Sequence, residues 1–234
     1  AGLAWILATP LRPLAQEPDS VRAFVGGDLL LASPTGEFAE NVSRGIGIEG
    51  HAGVFVTPGD EIALRANLGF INYGNETIKI CVTQPCRVTG ELTTSNNIFF
   101  GGIGPEAGLN SGALRLYGNA TVGFAYFATT SSAEGSHNQG DPFASSTNFD
   151  DLTFAWTSGG GAQLLVYDGP NPVRVNLGLR YHGNGEARYL RKGDIQDLPD
   201  GSVALNPRRS DTNLVTFHLG VSVELGLDKA EGSP

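Results

Sequence analysis

The side chains with catalytic potential in this chain are two histidines and their polar neighbours. His182 and Glu186 occur in the stretch YHGNGEARY, and His218 precedes Ser222 by four positions. Hydrolysis through a covalent intermediate needs a hydroxyl nucleophile within hydrogen-bond distance of its base. Residues four apart on one face of a strand are about 13 Å apart, so His218 and Ser222 cannot form such a pair. The next residue on the same face of a strand as His182 is Asn184, and its side chain has no hydroxyl to act as a nucleophile. We therefore predict no catalytic residue.

The motifs that would hold a metal or a cofactor are also missing from the sequence. The glycines at 159–161 lie within a strand-like segment and precede no helix, so they do not form a phosphate-binding loop. Cys81 and Cys86 flank a Thr-Gln-Pro turn, and no histidine nearby could complete a tetrahedral zinc site. In an exported protein such a pair favours a local disulfide over two free thiols. We predict a disulfide, no metal and no cofactor.

The composition points to an all-β protein with a restricted set of partners. The chain has 234 residues, 33 of them glycine, and no methionine. Its net charge of −9 argues against nucleic acid as a partner, because phosphate binding needs clustered Lys and Arg. No run of about 18 apolar residues is present to span a bilayer as a helix.

Hydrophobic residues recur at every second position through most of the chain, which is the periodicity of half-buried strands. Each alternating segment contains about 10 regular positions, close to the 9–11 residues that a tilted membrane-spanning strand requires. The eight predicted strands are 20–33, 43–57, 61–75, 91–108, 113–129, 151–168, 172–189 and 212–227.

The connections between these strands alternate in length. Short turns are TPGDE, LNSGA and DGPNP, and the long connections are 34–42, 76–90, 130–150 and 190–211. If consecutive strands are antiparallel, all short turns lie at one end and all long loops at the other. Outer-membrane barrels have short periplasmic turns and longer external loops. The sequence therefore predicts an eight-stranded antiparallel up-and-down transmembrane β-barrel with a polar interior and four long external loops.

The stretch VRVNLGLRYHGN shows which face would be inside. Its apolar positions would face lipid, and its charged and polar positions would line the bore. Glycines accompany the polar face, and aromatic residues gather near strand ends, as in interfacial girdles. The aromatic positions are Phe70, Tyr73, Phe124, Tyr126, Phe127, Trp156, Tyr167, Tyr181 and Tyr189.

A bore of eight strands is filled by side chains, and a buried charge is costly unless an opposite charge accompanies it. We therefore expect a plugged, salt-bridged interior. The predicted interior network is Glu49, His51, Arg65, Asn67, Glu106, Arg115, Asn119, Gln163, Arg174, Asn176, Arg180, His182, His218 and Glu224.

The phrases ALRANLGFINYG, LYGNATVGFAYF and VNLGLRYHGNGEARY resemble the small outer-membrane barrels typified by the OmpA transmembrane domain and the opacity proteins. The resemblance covers about residues 20–227. It implies a non-enzymatic envelope protein that has outer-membrane lipid as its surroundings and contacts protein or surface ligands through its loops.

Two alternatives remain open. Some barrels of this size are lipid-A-modifying hydrolases, although their pattern places a serine where this chain has Asn184. The other alternative is a secreted soluble β protein that forms an extracellular assembly. The oligomeric state is not readable from the sequence.

The segments outside the predicted barrel are the two ends of the chain. Residues 1–18 resemble the back half of a secretory signal peptide, although they could also be retained as an apolar peg. Residues 19–227 would form the barrel, and residues 228–234 would be a polar tail.

Overall fold

The computed structural model describes residues 21–81, 89–135, 144–191, 194–197 and 203–227. Cys86, the N-terminal segment 1–18 and the tail 228–234 lie outside these residues, so the disulfide and the two terminal assignments stay predictions. The elements are β1 Val21–Pro34, α1 Gly36–Asn41, β2 Gly45–Phe55, β3 Ile62–Cys81, β4 Thr89–Ser111, β5 Leu114–Gly135, β6 Ala144–Tyr167, β7 Val173–Asn184, β8 Glu186–Tyr189, β9 Ile195–Asp197, β10 Val203–Leu205, β11 Arg208–Asp211 and β12 Leu214–Leu227.

Eight long strands form a closed antiparallel barrel in the order β1-β12-β7-β6-β5-β4-β3-β2. The barrel closes where the first strand meets the last, with Val21 opposite Leu227 and Pro34 opposite Leu214. Closure leaves no free strand edge in the barrel wall, where the eight long strands pair in their sequence order and the short strands β8 to β11 form separate two-stranded sheets. The predicted eight-stranded antiparallel up-and-down barrel is confirmed.

The two ends of the barrel differ as the loop lengths predict. Short connections at 56–61, 112–113 and 168–172 share one end with both termini of the barrel, and we call this the turn end. The two-residue connection after β4 requires a positive φ at its first position, and Gly112 supplies it with φ 59°. The longer connections lie at the other end, which we call the loop end.

The predicted loops 76–90 and 130–150 were too long, because strands β3 to β6 continue well beyond the alternating segments. The continuation is a paired ladder of polar residues, in which Thr77 lies opposite Thr93 and their hydroxyls are 3.0 Å apart. Thr94 and Ser131 make a similar contact of 2.8 Å. Apart from Ile78 and Leu92, the described side chains of this ladder are largely polar, so hydrophobic alternation does not reveal it. The predicted loop 34–42 contains α1, and 190–211 contains β9 to β11.

The outer wall of the barrel is apolar and the inner wall is largely polar. β2 alternates buried and exposed positions along its length, and its exposed positions include Ile46, Ile48 and Val54. Arg65 on the neighbouring strand is fully buried. Within the described ranges, no helix is long and apolar enough to cross a membrane.

An apolar cluster lies at the loop end of the bore, and three of its aromatic residues were predicted to be girdle residues. Phe38 of α1 is fully buried and packs edge-on against the rings of Tyr73, Phe127 and Tyr189, with ring centroids 5.8, 6.0 and 5.0 Å away. These three rings point inward, so they are not girdle residues as predicted. The periodicity shows which residues of a strand share a face. Only the packing of Phe38 from α1 shows that the inward face is apolar at this end.

Candidate functional site

A chain of five buried ions fills the middle of the bore. Arg65 donates to Glu106 at 2.8 Å and to Glu49 at 3.2 Å. Arg115 donates to the other oxygen of Glu106 at 2.8 Å, and Arg180 donates to the other oxygen of Glu49 at 2.6 Å. All five side chains are at most 3% exposed. The bidentate use of both carboxylates is the arrangement that makes buried ion pairs tolerable.

Amide side chains supply further hydrogen bonds to this chain of ions. The contacts are Asn67 to Glu49 at 3.3 Å, Arg180 to Asn119 at 3.2 Å and Arg115 to Gln163 at 3.3 Å. The three amides come from β3, β5 and β6, and their partners from β2, β5 and β7, so the network ties opposite walls of the barrel together.

A second ionic cluster lies near the turn end. Arg174 donates to Glu224 at 2.7 Å, and Arg22 donates to the other Glu224 oxygen at 3.0 Å and also pairs with Asp60 of the β2–β3 turn. Burial raises the pKa of the Asp60 carboxyl above its ordinary value, and the neighbouring Arg22 acts in the opposite direction. With two positive and two negative groups, this cluster is balanced within itself.

A third polar cluster centres on Asp28, which was not among the residues predicted from the sequence. One oxygen of Asp28 accepts from Asn176 at 2.6 Å, and the other lies 3.0 Å from Nδ1 of His51 and 3.9 Å from Nδ1 of His218. Ligand atoms of Asp28, Glu49 and His218 all lie within 4.8 Å of one another, which makes this a group that could hold a metal ion. The alternation in β1 already indicated this position. Leu29 and Leu31 face outward, so Asp28, which lies in the other alternation phase, faces the bore.

All fourteen residues of the predicted interior network project toward the bore in the structure, and all except Arg174 are buried. Arg174 is half-buried beside the turn end, with its side chain 11% exposed. Tyr117 also belongs to this interior, since its hydroxyl donates to Asn176 at 2.8 Å, but it was not among the predicted residues.

The residues considered for hydrolysis serve different contacts. His182 is buried, contacts the Thr216 hydroxyl at 2.9 Å and packs edge-on against Phe100. Glu186 lies on β8, where its half-exposed carboxylate pairs with Arg209 at 2.7 Å. Glu186 therefore pairs with Arg209 and not with His182, and the His182–Glu186 combination considered for hydrolysis is not assembled in the part of the chain that the structure describes.

A cleft of about 950 Å³ opens at the loop end, between α1 and the extended part of β3 and β4. Its lining combines amides such as Asn72, Asn75 and Asn148 with the apolar side chains of Ile78 and Leu92. Asn72 donates to Asn75 at 3.0 Å, so part of the amide lining is ordered by its own hydrogen bonds.

A closed eight-stranded barrel with ions inside and apolar side chains outside has the architecture of the small membrane-type β-barrels. No family model matches this chain, and no curated protein sequence is significantly similar to it.

Solved structures with a similar fold include Neisserial surface protein A, which is 12% identical with a TM-score of 0.47, over 88% of this chain and 97% of that chain. Another is Ail, the attachment invasion locus protein of Yersinia pestis, at 12% identity and a TM-score of 0.44, over 88% of this chain and 99% of that chain. Ail is also known in complex with the heparin analogue sucrose octasulfate, and this structure is 10% identical to the present chain. Likeness at this level carries no inference about function.

Proposed function

We propose that this protein is a non-enzymatic barrel of the bacterial outer membrane with a plugged interior and a surface-recognition role at its loop end. The observation that carries the proposal is the inverted distribution of polarity. Leu29, Leu68 and Leu177 on the outer wall are 64–66% exposed, whereas Arg65 and Glu106 inside are fully buried. In water so many exposed leucines would form a large aggregation-prone patch. In hydrocarbon the same surface is favourable.

The backbone supports the same placement. In a bilayer every backbone N–H and C=O must be bonded within the protein, and a closed barrel achieves this without a free edge. β2 has 11 residues, which matches the 9–11 residues that a tilted strand needs to cross the hydrocarbon. The termini of the barrel and its short connections share one end, as in barrels with periplasmic turns.

Membrane placement is tested by fractionation and gel migration. We expect the folded protein to remain with the outer membrane after carbonate extraction and to migrate faster on a gel when unboiled than when boiled. Recovery of the folded protein in the aqueous fraction without detergent would contradict the proposal and would favour the secreted soluble alternative.

The plugged interior is tested by conductance in planar lipid bilayers. The chain of ions across the bore and the apolar cluster under Phe38 occupy the space that a channel would need. We expect no large stable pores from the refolded protein. Steady openings of porin size would contradict the plug while leaving membrane placement intact.

The non-enzymatic part rests on the separation of the candidate groups. His182 is enclosed by Thr216 and Phe100, and Glu186 faces Arg209. We expect the lipid A of cells expressing this protein to have the same mass spectrum as that of cells with the empty vector. Loss of an acyl chain in the expressing cells would restore the hydrolase alternative.

The cleft at the loop end supports the recognition role. Amides such as Asn75 hydrogen-bond to hydroxyl groups without requiring charge, and the adjacent Ile78 and Leu92 can contact apolar faces of a ligand. This chemistry suits a saccharide of a cell surface. The test is binding of the refolded protein to an array of oligosaccharides, followed by titration of the strongest ligand.

The matched variants are Asn75→Ala in the cleft and Asn110→Ala, an exposed asparagine at the turn end. We expect Asn75→Ala to weaken binding at least fivefold and Asn110→Ala to leave it unchanged. No saccharide binding by the wild type, or equal effects of both variants, would contradict recognition through this cleft.

A further inference from the structure

The outward face of strands β3 to β6 continues as a regular sheet beyond the apolar belt of the barrel. In the register of these strands, the last apolar row on the outer wall consists of Phe70, Phe99, Tyr126 and Leu152. The ring centroids of Phe70 and Phe99 are 4.9 Å apart, and those of Phe99 and Tyr126 are 6.5 Å apart. Aromatic rows of this kind lie at the membrane–water interface. This aromatic row therefore marks the border of the hydrocarbon at the loop end.

Beyond the aromatic row, the outward side chains of β3 to β6 are polar but almost all uncharged. The first row contains Asn72, Asn97, Ala128 and Asp150. The next two rows, which we call the hydroxyl face, are Asn75, Ser95, Thr130 and Thr147, followed by Thr77, Thr93, Ser132 and Ser145. Ionisable side chains return in the row after these, where Lys79 lies opposite Glu91.

The hydroxyl face and the cleft lie on opposite faces of the same four strands. The hydroxyls of Thr77 and Thr93 meet on the outward face, whereas those of Thr94 and Ser131 meet on the inward face and line the cleft. Asn75, on the strand at the edge of this sheet, borders both surfaces. The hydroxyl face is therefore a second surface, distinct from the cleft.

The lack of charge sets the hydroxyl face apart from a sheet that faces water. Protein surfaces in water usually have about 25–35% charged residues, yet none of the eight residues of the hydroxyl face is ionisable. The β8–β11 ribbon also lies at the loop end, and its exposed positions include Glu186, Arg188, Arg209 and Asp211. The uncharged surface is thus a local feature of β3 to β6.

The distance of the hydroxyl face from the hydrocarbon indicates the kind of lipid that covers it. Two residues along a strand advance by about 6.7 Å, and at a tilt of about 45° each row lies about 5 Å further from the hydrocarbon. The two rows of the hydroxyl face therefore lie about 10 and 15 Å beyond the aromatic row. The headgroup layer of a phospholipid bilayer is only about 5–8 Å thick on each side. A lipid with a longer polar headgroup is needed to reach both rows.

We propose that the hydroxyl face binds the saccharide headgroup of a glycolipid in the outer leaflet, whose acyl chains cover the aromatic row and the leucines below it. The inference rests on the proposed placement in the outer membrane. Side-chain hydroxyls and amides both donate and accept hydrogen bonds, as the hydroxyls of a sugar do. Because the hydroxyl face is continuous with the lipid-facing wall, one lipid molecule contacts both.

The first test is NMR of the full chain refolded in nanodiscs of phospholipid and rough-type lipopolysaccharide, with isotope-labelled threonine and leucine methyl groups. We expect nuclear Overhauser effects between saccharide protons and the methyl groups of Thr93 and Thr130. The matched controls are Thr121 and Thr157, whose hydroxyls contact each other at 2.8 Å inside the bore. Their methyl groups should show no such effects. Acyl-chain protons should contact Leu68, which is 66% exposed on the outer wall.

The pattern of contacts separates this inference from membrane placement. Acyl-chain contacts at Leu68 without saccharide contacts at Thr93 and Thr130 would overturn the inference and leave membrane placement intact. Absence of acyl-chain contacts at Leu68 would contradict both. If the free, deacylated saccharide gives the same contacts in nanodiscs of phospholipid alone, the hydroxyl face does not need the lipid and the proposal is overturned.

The second test is retention of lipopolysaccharide by variants, measured by native mass spectrometry of barrels released from the same nanodiscs. Thr93→Val combined with Thr130→Val removes two hydroxyls and keeps residues that favour strands. We expect the wild type to retain one lipopolysaccharide per chain and the double variant to retain at least fivefold less. The control Ser111→Ala, exposed at the turn end, should retain as much as the wild type. Equal retention by the double variant and the control would overturn the proposal.

Discussion

Removal of the Glu106 charge is the perturbation that tests the interior most directly. Glu106 is fully buried and accepts from Arg65 and from Arg115, each at 2.8 Å. Glu106→Gln keeps the shape of the side chain but deletes its charge. Arg65 keeps Glu49 as a partner, while Arg115 is left with Gln163 at 3.3 Å and the face of the Phe55 ring.

The expected magnitude follows from Coulomb's law. At an effective dielectric constant of about 20, two unit charges about 4 Å apart attract by about 4 kcal/mol, so the two contacts together amount to about 8 kcal/mol. The variant no longer buries the carboxylate charge, and this recovers several kcal/mol of desolvation free energy. We expect the free energy of unfolding to fall by about 3–5 kcal/mol, as is typical when one partner of a buried ion pair is removed.

The assay is equilibrium unfolding in urea of protein refolded into lipid vesicles, followed by the heat-modifiable gel band and by tryptophan fluorescence. The control is Glu186→Gln, because Glu186 pairs with Arg209 at 2.7 Å with both side chains at least half exposed. Exposed pairs contribute about 0–1 kcal/mol, so this variant should be nearly as stable as the wild type.

A double variant distinguishes charge from shape. Glu106→Gln combined with Arg115→Gln restores charge balance in the bore, so it should be less destabilising than the sum of the two single variants. If the free energies of unfolding of Glu106→Gln and Glu186→Gln differ by less than about 1 kcal/mol, the buried ionic network stabilises the fold no more than an exposed ion pair does.

Two further predictions concern the wall of the barrel. A Cβ at Gly123 would overlap the carbonyl oxygen of Gly101 on the neighbouring strand, so Gly123→Ala should destabilise the barrel by about 1–3 kcal/mol. The control is Gly27→Ala, whose Cβ would make an ordinary contact of 3.6 Å and should leave the yield of folded protein unchanged. Equal yields of the two variants would contradict the close approach of Gly123 to the Gly101 carbonyl. Leu177 is 64% exposed on the outer wall, so Leu177→Arg should reduce stability in vesicles by about 2–4 kcal/mol. Ser111→Arg, at the exposed turn end, should not reduce this stability. If Leu177→Arg folds in vesicles as well as Ser111→Arg does, the outer face lies in water.

Strand periodicity and loop lengths determined the barrel from the sequence alone. A period of two is a local property of each strand, and the alternation of short and long connections reflects only the order of antiparallel strands. These two features predicted the number of strands, their antiparallel order and the side on which the turns lie, and the closed barrel confirms them. They failed where polarity does not alternate, as in the paired extension around Thr77 and Thr93.

The partners of the interior groups were decided only by the tertiary structure. Alternation shows that Arg65 and Arg180 share the inward phase, but the stagger of the strands determines that both contact Glu49. Alternation places Tyr73 and Phe127 in the inward phase, but only the tertiary structure shows that Phe38 of α1 packs against them at the end of the bore. The Asp28 cluster likewise depends on closure, because His218 reaches the first strand only when the last strand pairs with it. Local periodicity determines the face on which a side chain lies, whereas contacts between residues far apart in sequence depend on register and closure.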